Sequence, residues 1–143
     1  MRKKKFRLAA IAALLGGCAI APAPTPFLSA PQTLDDYKRG VAKRIAAANA
    51  ETYSAPLPEV MKSIVVLEIT VDGLGAPLKL SVYRSNGYPV LAQRALDSVA
   101  KAAPFAAPGP TLLQGAGSMS FLETFLFRDD DSFQLRSLVA TPD

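Results

Sequence analysis

The chain has 143 residues with no His, no Trp and a single Cys. One domain is expected at this length, with a core large enough to fold without a disulfide or a metal. The missing imidazole excludes Ser-His-Asp and Cys-His nucleophiles, His-ligated zinc and proton shuttling by an unperturbed side chain near neutral pH.

The net charge of +4 comes from 16 Lys and Arg against 12 Asp and Glu. Arg2, Lys3, Lys4, Lys5 and Arg7 supply five of those cations, so the rest of the chain has 11 basic residues against 12 acids. No basic patch is interleaved with aromatics, and a nucleic-acid partner is not expected.

Residues 1–17 combine that charged start with the apolar run Leu8 to Leu15, too short for a spanning helix, which needs about 20 residues. The run ends in Leu15, Gly16, Gly17 and Cys18, which resembles the bacterial lipobox. The resemblance implies cleavage before Cys18, a diacylglycerol on its sulfur and acylation of the new amino terminus. More than one acyl chain anchors firmly. Ala19 in place of Asp after the Cys implies the outer membrane. An ordinary secreted protein and an uncut inner-membrane anchor are the alternatives.

Residues 18–33 carry Pro22, Pro24, Pro26 and Pro31 among small residues, the composition of an extended tether. Fifteen residues at about 3.1 Å each reach roughly 45 Å. The domain is expected over 34–143. Thr33 is a candidate N-cap, and Leu34, Tyr37, Val41, Ile45 and Ala48 form one stripe of a helix to about Ala50. Its Lys38, Arg39, Lys43 and Arg44 read as a solvated face, with Asp35 in pairing distance of Lys38 and Arg39. Contact with anionic lipid is the alternative.

Ser63 to Val71 alternates, with Val65, Leu67, Ile69 and Val71 on one face and Ile64, Val66, Glu68 and Thr70 on the other. Asp72 to Ala76 makes a turn into a second strand through Leu78, Leu80 and Val82. The glycines of that turn lack the further glycines and helix-opening Lys of a phosphate loop. Arg84 to Gly87 reads as a loop. Pro89 opens a second helix through Leu91, Ala92, Ala95, Leu96, Val99 and Ala103, and Pro104 ends it. Met119 to Phe127 and Ser132 to Val139 read as third and fourth strands around the acidic turn Asp129 to Asp131, which lacks the spacing of a calcium loop.

The fold class expected is α+β, two helices packed on one face of a three- to four-stranded antiparallel sheet. Glu123 interrupts the row Met119, Phe121, Phe125 and Phe127, while Leu122 and Leu126 fall on the other phase. Either a bulge shifts the register or both faces are covered. Glu68, Asp72 and Glu123 are read as surface charges rather than a catalytic carboxylate pair. No enzyme activity, cofactor, metal or small-molecule substrate is expected.

Tyr53 and Pro56, the strand closing on Val71, Asp72, Gly73 and Gly75, then Leu78 to Val82, Arg84 to Gly87, and the helix with Leu91, Ala95 and Val99 ending at Pro104 and Phe105 form an ordered set. Over Tyr53 to Pro110 it resembles the carboxy-terminal domain of the TonB and TolA family. The resemblance implies a small periplasmic domain that docks protein partners, often by adding a partner's strand to its sheet edge. In that family the strand after the second helix lies at an edge. The implied partner-binding residues are therefore Phe121, Glu123, Phe125 and Phe127, joined by Phe133 and Leu135 if the last strand pairs outside it. Family transducers carry a spanning helix and a long spacer, and in TonB the helix carries a His. The expectation is therefore a docking lipoprotein on the periplasmic side of the outer membrane. The alternative is an inner-membrane energy transducer of the TonB family supporting transport across the outer membrane.

Overall fold

The computed structural model describes residues 32–139. The signal segment, with Leu15, Gly16 and Gly17, the lipidation residue Cys18 and most of the Pro-rich tether lie outside the described residues.

Helix α1 (Leu34–Ala48) starts where Thr33 Oγ1 accepts a hydrogen bond from the Asp36 N–H at 3.1 Å, with Asp35 and Asp36 in the first turn where the helix dipole favours anions. It buries Tyr37, Val41, Ala42 and Ile45. It stops at Asn49, whose amide donates to the Ile45 carbonyl at 2.8 Å and to the Ser98 carbonyl at 3.1 Å. The same side chain thus ends α1 and ties it to the second helix. The basic face is only partly a solvated one. Arg39 pairs with Asp36 at 3.6 Å rather than with Asp35, and Arg44 Nε donates to the Ala102 carbonyl at 2.8 Å, satisfying an orphan C=O at the end of the second helix.

Strands β1 (Ser63–Asp72) and β2 (Pro77–Ser85) form the hairpin, α2 (Pro89–Ala102) follows, and a single turn α3 (Pro110–Leu113) interrupts the Pro-rich connector. Strand β3 (Ser118–Phe127) and the short β4 (Phe133–Leu135) complete a four-stranded sheet in the order β2-β1-β3-β4, every neighbour antiparallel. The class is α+β, with α1 and α2 packed on one face of the sheet. Val65, Leu67, Ile69 and Val71 stand opposite Phe125, Glu123, Phe121 and Met119 in an unbroken β1–β3 register. That face meets both helices, with the Tyr37 ring edge-on to Phe121 at 5.7 Å. Each large apolar side chain buried here contributes roughly 1.5–3 kcal/mol.

Two expectations change. Strand β2 runs on through Arg84 and Ser85, which the sequence placed in a loop, because Asn86 Oδ1 accepts from the Ile64 N–H at 2.7 Å and the Ser63 hydroxyl at 3.0 Å and so holds the strand end against β1. The fourth strand covers only Phe133–Leu135 rather than Ser132 to Val139. The chain then tightens into a 3₁₀ turn, Arg136–Leu138, which brings Ser137 over the sheet.

The hairpin turn is fastened to the connector. Asp72 Oδ1 accepts from the N–H groups of Leu74 and Ala76 at 2.9 and 3.0 Å, and Gly75 has φ of 86°. The Phe105 N–H donates to the Gly75 carbonyl at 3.0 Å, and a Cβ on Gly75 would lie 2.2 Å from the Phe105 carbonyl oxygen. Both the left-handed backbone and the contact demand glycine. We predict that Gly75→Ala destabilises the fold by about 3 kcal/mol, measured by chemical denaturation; a loss under about 1 kcal/mol would show that the connector yields.

Candidate functional site: the two edges of the sheet

A strand that offers a free edge presents a row of unpaired N–H and C=O groups, the general basis for strand addition. Strand β3 offers none, because β1 flanks it on one side and β4 on the other. The residues expected to meet a partner are instead in the core: Phe121 is 5% exposed, Phe125, Phe127 and Phe133 are fully buried, and Leu135 and Glu123 are 1% exposed. Phe125, Phe127 and Phe133 form one aromatic cluster with ring centroids 5.1 to 6.4 Å apart. Their alternation marks the helix-covered face, and the partner-facing assignment of these six side chains is corrected accordingly.

Glu123 is likewise no surface charge. It stands on the helix-covered face opposite Leu67 in a register with no bulge, so no slip accounts for it; of the two expected accounts, partial cover of both faces holds, since Leu126 and Val66 on the other face are also buried. It is satisfied locally. Oε1 accepts from the Thr124 N–H at 3.0 Å and the Ser137 N–H at 3.3 Å, and the Ser137 hydroxyl lies 2.5 Å from Oε2. Burial pushes its carboxyl above the ordinary value, opposed by the Ser137 and Thr124 hydrogen bonds and by the charge of Lys38. A buried acid with this clamp fixes the 3₁₀ turn onto β3 and so fixes where β4 ends.

The outer side of β4 is also occupied at its start. Glu51 to Tyr53 runs parallel to it: the Phe133 N–H donates to the Glu51 carbonyl at 3.0 Å and the Tyr53 N–H to the Phe133 carbonyl at 3.1 Å. The Tyr53 hydroxyl reaches the Leu126 carbonyl at 3.0 Å, and the Arg128 guanidinium stacks on its ring at 4.2 Å. Beyond Tyr53 the chain diverges, leaving a cleft of about 280 Å³ lined by Tyr53, Ser54, Leu135 and Leu138. Gln134 lines it too, and its buried Oε1 has no hydrogen-bond partner among the described residues.

Among the described residues the other edge is uncovered. Strand β2 ends the sheet, so its outer side faces no neighbouring strand over nine residues. Two bulges interrupt its register with β1, between Val66 and Leu67 and between Thr70 and Val71. They leave Tyr83 and Leu78 without a register partner, and these two side chains are 63% and 60% exposed. The sequence read Leu78, Leu80 and Val82 as one alternating row; of the three only Leu80 packs against the core. Lys79 and Arg84, opposite Thr70 and Val66, stand on the open face of the sheet. The sequence signal for this edge is the break in alternation at Val82-Tyr83 and at Pro77-Leu78, where large residues sit side by side.

The carboxylates do not converge. Glu68 and Glu123 lie on opposite faces of the sheet, and Asp72 is engaged in its turn. In the acidic turn, hydrogen bonds from Ser132 and Arg128 hold the Asp130 carboxyl well below the usual range, and Asp131 pairs with Lys62 at 2.6 Å. Among the described residues no group of three His, Cys, Asp or Glu side chains is placed to hold a metal ion.

The Glu123 clamp has a pH signature. Its pKa is raised in the fold, so the contribution of this group is fully present below the ordinary value near 4.5 and is lost as pH rises through the folded-state value. Glu123→Gln keeps an acceptor at one oxygen and puts a donor toward Ser137, so it should flatten that decline in denaturation curves taken across the window. Ser137→Ala leaves Oε2 buried without its partner and should cost about 1–3 kcal/mol at neutral pH. An unchanged pH slope in Glu123→Gln would mean that another group sets it. Comparison with known proteins finds no matching family model, no matching curated protein and no matching solved structure.

Proposed function

We propose that this chain is a lipid-anchored docking module facing the periplasm from the outer membrane, holding a partner protein by strand addition to its sheet edge. The observation that carries the docking part is the uncovered nine-residue edge of β2 in a sheet whose other face already holds both helices. A strand added there gains backbone hydrogen bonds that need no particular sequence, while alternate side chains supply selectivity. The separation of Glu68, Asp72 and Glu123 favours binding over carboxylate catalysis, which needs two such groups converging on one substrate.

Anchorage rests on the leader and on Leu15, Gly16, Gly17 and Cys18. Among the described residues no helix is long and apolar enough to cross a membrane. The resemblance to the TonB and TolA carboxy-terminal domain supports a periplasmic role, and the short tether supports a partner close to the membrane rather than across the whole periplasm. Growth with an alkyne fatty acid should label the wild-type chain and leave Cys18→Ala unlabelled, with the mature wild type shorter than its precursor. An unlabelled wild type of full precursor length would replace this reading with an inner-membrane form that keeps its leader.

A further inference from the structure

Strand β2 carries more than an unpaired backbone. Between Pro77 and Ser85 there are two cations, Lys79 and Arg84, and no acid. Both are exposed, and neither belongs to the ion pairs of the described residues, which join Arg39 to Asp36, Lys62 to Asp131, Arg94 to Glu51 and Arg128 to Asp130.

Their placement is set by the bulge. Five positions separate Lys79 from Arg84 along β2, which in a regular strand would send them to opposite faces. The extra residue at Tyr83 restores the phase, so Lys79 stands opposite Thr70 and Arg84 opposite Val66, both on the open face and four residues apart as β1 counts them. The acid at the middle of that face is Glu68, opposite Ser81, on the inner neighbour of β2, and Asp72 at the end of the same strand is engaged in its turn. A strand added to the outer side would lie at the same spacing, about 4.8 Å away, with nothing else to answer the two charges. Leu78 and Tyr83, exposed by the two bulges, flank the regular stretch Lys79 to Val82 and give apolar contact at both ends of it.

Bulges and an edge lysine are also how proteins blunt an edge against indiscriminate pairing. That function does not call for large apolar side chains at the bulged positions; here both positions hold one. A selective edge does call for them, since the like charges repel the wrong strand and the apolar contacts reward the right one. A second copy of this chain is the wrong strand. Pairing β2 with β2 would set Lys79 and Arg84 from each copy along one seam, four cations with no acid between them.

Resting on the docking reading above, we infer that the β2 edge binds an extended segment of a partner protein that carries two acidic residues four positions apart on one face, within a run of β-forming residues. The spacing follows from the register: a regular strand beside β2 presents the same face at positions four apart to Lys79 and Arg84, as Thr70 and Val66 do from the other side.

The test uses the full chain in mild detergent and three labelled twelve-residue peptides rich in Thr and Val. One has Asp at two positions four apart, one has the two Asp five apart, and one has Lys in place of both Asp. Anisotropy should show the four-apart acidic peptide binding about tenfold more tightly than either control, and hydrogen exchange should show new protection at the amides of Leu78 to Arg84. The double charge reversal Lys79→Glu with Arg84→Glu, both at exposed positions, should transfer the preference to the lysine peptide. Equal affinity for all three peptides, no binding by any, or self-association of the chain through β2 would overturn the inference. Protection at Gln134 to Leu138 instead would overturn it while leaving strand addition itself in place. The fatty-acid labelling result bears only on anchorage and is independent of all these outcomes.

Discussion

The burial of Glu123 governs which side of this sheet is available. A carboxylate on the core face of a central strand is costly unless its lone pairs are met, and all three of its hydrogen bonds here come from two residues, Thr124 beside it and Ser137 on the 3₁₀ turn. Meeting that requirement pulls Arg136–Leu138 over the sheet and shortens β4 to three residues. It also holds β4 against β3, with Phe133 and Leu135 opposite Phe127 and Phe125. The edge that β3 would otherwise present is closed by the same contacts that stabilise the core. The long free edge is therefore β2.

The two edges differ in kind as a result. On the β4 side, Glu51 to Tyr53 already supplies a parallel pairing partner, and Tyr53 fixes that segment through the Leu126 carbonyl and the Arg128 stack. An incoming strand would have to displace or extend an intramolecular arrangement. On the β2 side no described segment would have to be removed, so a strand added there would keep the full gain of backbone pairing, less the cost of its own ordering.

The helices, the hairpin and the α+β class were legible in the sequence because each rests on a local period. The stripe through Tyr37, Val41 and Ile45, the alternation through Val65, Leu67, Ile69 and Val71, and the Pro89 start of α2 are all read from neighbours a few residues apart. The role of Glu123 was not, since its partner Ser137 lies fourteen residues on and becomes adjacent only once β3 and β4 have paired. The expectation that the β3 and β4 side chains face a partner failed for a related reason. Aromatic alternation in β3 states which face is apolar but does not say whether that face meets helices or a partner. The bulges of β2 are visible only as large residues in consecutive positions, a weak signal until the β1 register shows which of them has no partner.

The start of the described chain is fastened near one end of this edge. Gln32 Oε1 accepts from the Gly109 N–H at 3.0 Å, the Tyr37 hydroxyl donates to the Ala106 carbonyl at 3.0 Å, and the connector is bonded in turn to Gly75 through Phe105. Gln32 is thus tied, through the connector, to the end of the sheet where the β1–β2 hairpin turns. Strand β2 starts at that end and runs away from it. The Gly75 contact, which admits no side chain, holds that connector against the turn from which β2 starts.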